Sequence, residues 1–147
     1  MTDVYTKAKR SEIMSRVRNK RTSPEDSVAA LLRQLGIRYR RNVRTLPGQP
    51  DFSIRSRDTV IFVNGCFWHG HLNCKRAKLP ATNVEFWKNK IATNQRRDRR
   101  VRRQLRQRGW HVITIWQCRL RSLEQVTRRL ERLLQNTSED HSTDGRS

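Results

Sequence analysis

The feature that constrains this chain most is a set of four side chains of the kind that bind soft metal ions. Cys66, His71 and Cys74 lie close together in the sequence, and Cys118 follows much later. They include all three cysteines, an odd number that argues against a disulfide framework. Thiolate and imidazole are the ligands that Zn²⁺ favours, and four of them close a tetrahedral structural site. The set predicts a structural zinc, with three unrelated thiols and a surface histidine as the alternative.

Apolar spacing predicts three helices. Ser23-Pro24-Glu25 combines a capping hydroxyl, a first-turn proline and an acid near the positive end of the helix dipole, and Gly36 ends that helix. A second, long helix opens at the capping-box candidate Thr82-Asn83-Val84-Glu85 and ends before Gly109. Ser122 is placed to cap a last helix.

Short β-type runs predict four strands, at 37–41, 51–54, 59–63 and 110–116. The loop at 55–58 suits a hairpin between the second and third strands. The order of elements is then helix, three strands, helix, strand, helix, which is an α/β domain with a mixed sheet. A length of 147 residues fits one such domain. We expect a basic arm at 1–21, the folded domain at 22–135 and a disordered, Ser/Thr/Asp-rich tail at 136–147.

The charge of the chain points to nucleic acid as its partner. Thirty-three Lys and Arg stand against thirteen Asp and Glu, a formal net charge of +20. The repulsion among so many positive charges is tolerated best when the protein binds a polyanion. No apolar run of ~18 residues is long enough to span a bilayer, and no signal-peptide core follows Met1, so we expect an intracellular protein without a membrane partner. Arginines crowd the long helix, where they favour phosphate contact over a merely solvated face: Arg96, Arg97, Arg99, Arg100, Arg102, Arg103, Arg106 and Arg108.

Acidic residues and one histidine suggest a catalytic centre. Asp51 starts one strand of the predicted hairpin and Val63 ends the other, so both lie at the same end of the sheet. A carboxylate there, with a main-chain carbonyl and a phosphate oxygen, can hold Mg²⁺. His69 follows closely and is suited to activate a water. Glu25 and Asp98 are further candidates, with local charge balance as their alternative role.

Three aromatic residues, Phe67, Trp68 and Trp87, accompany these groups. Two of them lie in the polar segment between the metal-ligand candidates. Flat side chains beside a basic surface can stack on bases or wedge between base pairs. Trp87, near a helix start, is equally consistent with an ordinary core position.

Together these segments resemble the very short patch repair (Vsr) endonucleases, bacterial strand-specific mismatch nickases. The similarity covers roughly residues 7 to 134. It is carried by Lys9-Arg10-Ser11, Met14, Leu46-Pro47-Gly48, Pro50-Asp51-Phe52, Val60-Ile61-Phe62, Gly65-Cys66-Phe67-Trp68-His69, Pro80-Ala81-Thr82, Glu85-Phe86-Trp87, Arg97-Asp98-Arg99-Arg100 and Gly109-Trp110. The resemblance implies a restriction-endonuclease-like three-layer sandwich with a central mixed sheet. Zinc would staple it through Cys66, His71, Cys74 and Cys118.

The resemblance also implies an activity. Family members recognise a T:G mismatch, which arises when 5-methylcytosine deaminates, and nick the strand 5′ to the thymine. By the family pattern, Asp51 and the carbonyl of Val63 would bind Mg²⁺ and His69 would assist the attacking water, while Glu25 and Asp98 match positions tied to the active site.

The implied DNA contacts follow the same pattern. Phe67, Trp68 and Trp87 match aromatics that intercalate beside the mismatch. Met14 would approach from the minor groove, and Lys90 and Asn94 match residues that touch the mismatched pair. The expected setting is a monomer in the bacterial cytoplasm, associated with the nucleoid, with mismatched double-stranded DNA and mismatch-repair proteins as partners.

One departure from the family pattern is Asn64, which stands where a histidine is expected. Asparagine can hydrogen-bond a phosphate but cannot transfer a proton at neutral pH. The zinc loop also has one extra residue before Cys74. A Mg²⁺-dependent mismatch endonuclease remains the leading hypothesis. A non-catalytic, zinc-stabilised mismatch-binding module and a nuclease acting on ordinary or branched DNA are the alternatives.

Overall fold

A four-stranded mixed sheet forms the centre of the molecule. The computed structural model describes the backbone of residues 23–144 and the side chains of residues 23–135. The strands lie side by side in the same order as in the sequence: β1 (Arg40–Arg41), β2 (Phe52–Ile54), β3 (Thr59–Asn64) and β4 (His111–Trp116). The first two pairings are antiparallel and the pairing of β3 with β4 is parallel. The predicted mixed α/β order is therefore confirmed.

Three helices accompany the sheet: α1 (Pro24–Gln34), α2 (Val84–Gln107) and α3 (Leu123–Asp144). The predicted start of α1 is confirmed, because the Ser23 hydroxyl accepts a hydrogen bond from the Asp26 N–H at 3.2 Å. Its end is confirmed as well, since Gly36 takes the left-handed conformation (φ +73°) directly after the helix.

The start of α2 differs from the predicted capping box. Asn83 occupies the N-cap in a left-handed conformation (φ +58°), and no side chain caps the helix. Asparagine tolerates this conformation better than most residues. The Asn83 carbonyl instead accepts the first helical bond, from the Trp87 N–H at 3.2 Å.

The core lies between one face of the sheet and the helices α1 and α3. Successive residues of a strand point to opposite faces. On β3, Ile61 and Val63 face this core. The core residues that α1 and α3 contribute are Val28, Ala29, Leu31, Leu32, Leu123, Val126, Leu130 and Leu134.

The opposite face of the sheet carries α2. Phe62 and Asn64 of β3 share a cleft with Val101 of α2. The turn before β2 meets the same helix, because an ideal Cβ on Gly48 (φ +72°) would overlap Val101 Cγ1. This face is more polar than the core face, and it carries the candidate site.

Two predicted boundaries differ from the structure. Only Arg40–Arg41 of the run 37–41 forms a strand, because Ile37 and Tyr39 pack against the core rather than pairing along the sheet edge. The helix α3 continues past residue 135 to Asp144, although the side chains beyond 135 lie outside the described residues. The predicted arm at 1–21, with Met14, and the end of the tail also lie outside them. Among the described residues, no helix is long and apolar enough to cross a membrane.

Candidate active site

Asp51 lies at the entry to β2, beside the end of β3. The pairing of Phe52 with Ile61 brings it there, and its Oδ2 accepts a hydrogen bond from the Val63 N–H at 2.7 Å. Burial raises the pKa of the Asp51 carboxyl, and the nearby carboxylate of Glu25 adds to the rise. The Val63 bond and the charge of His69 oppose that rise in pKa. Asp51, Glu25 and His69 are thus within electrostatic reach of one another.

His69 and Asp98 form the closest polar pair of the site. His69 Nδ1 lies 2.6 Å from Asp98 Oδ2, and the two side chains are only 23% and 19% exposed. A carboxylate on one ring nitrogen holds the imidazole in a fixed orientation and selects its tautomer. Since Nδ1 faces Asp98, the second ring nitrogen, Nε2, is the one that can exchange a proton with a ligand.

These two residues line a cleft of about 400 Å³ between α2 and the sheet. Asn64, at the end of β3 and only 5% exposed, lines the same cleft. Arg97 and Arg102 of α2 contribute its positive charge. The remaining lining residues are Gly48, Gln49, Phe62, Val101 and Thr114. Asp51 is not among the lining residues; it is bonded to Val63 at the end of β3, and the charge of His69 influences its pKa.

The helix α2 also fastens the backbone on either side of His69. The Asn94 amide donates to the Trp68 carbonyl at 2.9 Å, and the Gln95 amide donates to the Gly70 carbonyl at 3.1 Å. Together with the contact between His69 and Asp98, one helix therefore holds three consecutive loop residues. The sequence does not mark Gln95 as part of the site. It lies in an arginine-rich helix, and nothing in the pattern indicates that its side chain binds a residue distant in the sequence.

The four predicted metal ligands come together beyond the end of β3. The ligand atoms of Cys66, His71, Cys74 and Cys118 all lie within 4.8 Å of one another. Cys118 Sγ is 3.4 Å from His71 Nδ1, and the Cys118 N–H donates to Cys66 Sγ at 3.4 Å. A tetrahedral ion with bonds of about 2.3 Å to sulfur needs ligand atoms roughly 3.5–4 Å apart. The cluster therefore fits a four-coordinate metal.

The protonation of Cys66 and that of His71 affect metal binding in opposite ways. Burial raises the pKa of Cys66 to about 11, so this thiol keeps its proton until a metal displaces it. Burial, helped by the charge of Arg119, lowers the pKa of His71 and favours the neutral imidazole that binds metals.

Trp116, a residue that the sequence does not mark as part of the site, connects the metal cluster with the cleft. Its ring stacks on His71 with centroids 4.2 Å apart and an interplanar angle of 11°. It also meets the His69 ring edge-on at 6.5 Å. The sequence offers one indication of this role, because Trp116 ends the predicted strand 110–116. In the structure that strand end pairs with Asn64.

The predicted aromatics form an exposed cluster with one further member, Phe86. We call Phe67, Trp68, Phe86 and Trp87 the aromatic cluster; their adjacent rings are 5.0–5.7 Å apart and meet edge to face. Trp68 and Phe86 are 50% and 59% exposed. Trp87 belongs to this surface cluster and not to the main core, which removes the core alternative for it.

The other residues that the sequence predicted for the site lie on the helices α1 and α2. Lys90 is exposed on α2, one turn after the aromatic cluster begins. Asn94 faces the loop and binds the Trp68 carbonyl. Glu25 lies in the first turn of α1, within electrostatic reach of Asp51.

Comparison with known proteins agrees with these features. A family model described as "DNA mismatch endonuclease Vsr" matches residues 2–76. The type II nicking enzyme V.XorIIP of Xanthomonas oryzae pv. oryzae is 42% identical over 134 residues, which cover 91% of this chain and 98% of the relative. The DNA mismatch endonuclease Vsr of Escherichia coli (strain K12) is 43% identical over 127 residues, 86% of this chain and 81% of the relative. The type II nicking enzyme V.NmeAIP of Neisseria meningitidis is 39% identical over 134 residues, 91% and 95% of the two chains.

The family match, the long alignments with nicking enzymes and the site geometry converge on one assignment, and the resemblance read from the sequence is confirmed. The chain belongs to the Vsr DNA mismatch endonuclease family.

Proposed function

We propose that this protein is a Mg²⁺-dependent, strand-specific DNA mismatch endonuclease that nicks 5′ to the thymine of a T:G pair, as part of very short patch repair. The observation that carries the proposal is the pair of His69 and Asp98 in a cleft lined by Arg97 and Arg102. A proton acceptor held beside concentrated positive charge suits attack on a phosphodiester. The names of the relatives, which include a DNA mismatch endonuclease and several nicking enzymes, support the same reaction.

The chemistry follows from the groups that face the cleft. Arg97 and Arg102 bind the phosphate oxygens and stabilise the negative charge that grows on them. His69 accepts the proton of the attacking water through Nε2, while Asp98 keeps the ring oriented and stabilises the imidazolium. As the water oxygen bonds to phosphorus, one phosphorus–oxygen bond of the backbone breaks, the sugar oxygen leaves as a hydroxyl by taking up a proton from solvent, and a single strand is nicked.

Asp51 and the carbonyl of Val63 are the residues that would hold Mg²⁺. The ion would supply Lewis-acid stabilisation of the phosphate. The fit rests on Asp51, whose raised pKa reflects a partly buried carboxylate beside the second carboxylate of Glu25. Such a pair favours the binding of a divalent cation, which relieves both the burial of the charge and the repulsion.

Asn64 limits which residues of the cleft can transfer protons. It is buried at the floor of the cleft, where its amide can hydrogen-bond a phosphate oxygen or a water. It cannot act as a base at neutral pH. We therefore assign proton transfer in the cleft to His69, with Asp98 orienting its ring.

We further propose that the four-ligand cluster holds a structural zinc within a restriction-endonuclease-like domain. Sulfur and imidazole donors favour zinc over magnesium, and four protein ligands leave no open position for substrate. Cys66 and His71 bracket the loop that carries His69, so the metal fixes one side of the loop and α2 fixes the other.

Recognition of the T:G pair is assigned to the aromatic cluster and to the start of α2. Exposed, edge-to-face rings can enter the base stack with little loss of side-chain entropy. Lys90 lies beside them and reaches the mismatched pair in this proposal. Asn94 supports the wedge through its bond to the Trp68 carbonyl. We place this activity on the nucleoid in a bacterial cytoplasm and assign it to a monomer that acts with mismatch-repair proteins.

The test compares nicking with binding. The wild type should nick a duplex bearing one T:G pair when Mg²⁺ is added, whereas Asp51→Ala and His69→Ala should lose nicking and keep affinity for the duplex. His111→Ala, a change of an exposed histidine at the start of β4, is the matched control and should nick normally.

Asn64 in the cleft favours one second candidate, a mismatch-binding module without catalysis. That function would be supported by tight binding of the T:G duplex, no nicking by the wild type, and no effect of Asp51→Ala on affinity. Equal cleavage of matched and mismatched duplexes would instead favour a nuclease for ordinary DNA.

A further inference from the structure

The second half of α2 carries a groove of which the proposed reaction uses only Arg102. Four arginines and one glutamine line it, and its volume is about 530 Å³. We call it the arginine groove; its residues are Arg99, Arg102, Arg103, Arg106 and Gln107. No carboxylate is among the described residues that line it.

The charge of this groove is unbalanced within the described part of the protein. Ion pairs among residues 23–135 join Arg41 to Asp26, Arg128 to Glu124 and His69 to Asp98, and no groove residue takes part in these three. Arginines three and four positions apart on one helix face repel each other. Only Arg106 lies in the last turn, where the helix dipole favours a cation. A bound anion would offset this repulsion.

The groove is continuous with the catalytic cleft. Arg102 lines both of them. Along α2 the aromatic cluster comes first, at Trp87, then Asp98 in the cleft, and then the groove. The groove therefore extends from the site of nicking in the direction opposite to the aromatic cluster.

The length of the groove gives its reach on DNA. A helix rises about 1.5 Å per residue, so Arg106 lies roughly 12 Å beyond Asp98. Neighbouring phosphates of one DNA strand advance about 3.4 Å per step along the duplex axis, so the groove is long enough to contact more than one of them.

We propose that the arginine groove binds backbone phosphates of the duplex arm 5′ to the nick, on the side away from the mismatch. This inference rests on the proposed function, because the aromatic cluster marks the mismatch and His69 marks the nick. Phosphate contacts of this kind position the enzyme without reading sequence. The groove thus sets how much DNA the enzyme needs on one side of its target.

The test uses the full chain and T:G duplexes with one arm trimmed. Trimming the 5′ arm from about 12 to about 2 base pairs should weaken wild-type binding at least tenfold, because the groove then has no phosphates to contact. The variant Arg99→Gln/Arg103→Gln/Arg106→Gln should bind both duplexes equally. Arg102 is left unchanged because it also lines the cleft. A variant with three exposed arginines changed elsewhere, Arg38→Gln/Arg128→Gln/Arg132→Gln, should keep the wild-type response to trimming.

Salt dependence gives a second readout. Each phosphate contact contributes about 0.9 to the slope of log affinity against log salt, so the groove variant should lose about 2.7 from that slope. Its affinity loss between about 50 and 200 mM salt should then be about 40-fold smaller than that of the wild type. Thermal unfolding of each variant confirms that it is folded.

The proposal is overturned if the wild type is indifferent to the 5′ arm, or if the groove variant responds to trimming as strongly as the wild type. Both results concern affinity. Absence of nicking by the wild type on the untrimmed T:G duplex would instead refute the proposed function, so the two failures are distinguishable.

Discussion

Replacing Gly70 with alanine tests whether the loop that carries His69 is held in place by α2. Gly70 has a left-handed backbone (φ +61°), and an ideal Cβ on it would overlap Gln95 Nε2 and lie 2.7 Å from Ile91 Cγ2. The Gln95 amide meanwhile holds the Gly70 carbonyl at 3.1 Å. An added methyl group therefore strains the backbone and pushes away the side chain that fastens it.

The magnitude follows from these contacts. A left-handed conformation costs alanine about 1 kcal/mol relative to glycine, and a crowded methyl group adds about 1–3 kcal/mol. We expect Gly70→Ala to lower the free energy of unfolding by about 2–4 kcal/mol. Gln95→Ala loses one hydrogen bond, about 1 kcal/mol. In the double variant Gly70→Ala/Gln95→Ala, the shortened side chain at position 95 no longer crowds the new methyl group. The loss in free energy of unfolding should therefore be about 1 kcal/mol smaller than the sum of the two single losses.

The assays are urea unfolding and single-turnover nicking of a T:G duplex. Small displacements of a catalytic group cost up to about 100-fold in rate, so Gly70→Ala should slow nicking roughly 10- to 100-fold with little change in affinity for DNA. Gly36→Ala is the matched control. It has the same backbone strain (φ +73°), but no atom of the described residues lies within 4 Å of the position of its Cβ. It should cost about 1 kcal/mol and leave the nicking rate unchanged.

The reasoning would be refuted if Gly70→Ala cost no more stability than Gly36→Ala. Strict additivity of Gly70→Ala and Gln95→Ala would also contradict it, because two groups in contact must be coupled.

Three further predictions concern the cleft and the metal cluster. Asp98→Asn should slow single-turnover nicking about 10- to 100-fold while DNA affinity stays unchanged, and a normal rate would show that the carboxylate does not position His69. Asp51→Asn should abolish nicking yet raise the thermal midpoint in Mg²⁺-free buffer at pH 7, because burial and Glu25 raise the pKa of the native carboxyl and its ionised form destabilises the fold. That gain should shrink as the pH falls through the raised pKa and the native carboxyl becomes protonated; a constant or negative difference in melting temperature would contradict it. Cys118→Ser should lower the zinc content measured by mass spectrometry and the thermal midpoint together, and an unchanged metal content would remove this ligand from the set.

The parts of the fold that depend on local chemistry could be predicted from the sequence. Strand and helix periodicity gave the order of elements, and the hairpin loop before Thr59 follows from residues close in the chain. The metal cluster was predictable for a different reason. Thiols are scarce here, so the three cysteines and His71 had few other plausible roles, and their convergence follows from the parallel pairing of β3 and β4.

Contacts between distant segments were not predictable in the same way. The bond from Gln95 to the Gly70 carbonyl and the stacking of Trp116 on His71 join residues that share no periodic pattern. The arginines of α2 look alike in the sequence, and only the packing of the helix on the sheet selects Arg97 and Arg102 for the cleft. The N-cap at Asn83 was mispredicted because its backbone conformation, rather than its side chain, begins the helix.

The most direct test of the central proposal is to map where the strand is cut. Duplexes labelled on either strand, with one T:G pair or the matched T:A pair, are incubated with the wild type and Mg²⁺ under single-turnover conditions. We predict one nick, in the thymine strand, at the phosphodiester immediately 5′ to the mismatched thymine, dependent on Mg²⁺ and absent from the matched duplex. Cleavage of the guanine strand, equal cleavage of the matched duplex, or no cleavage at all would contradict the proposal.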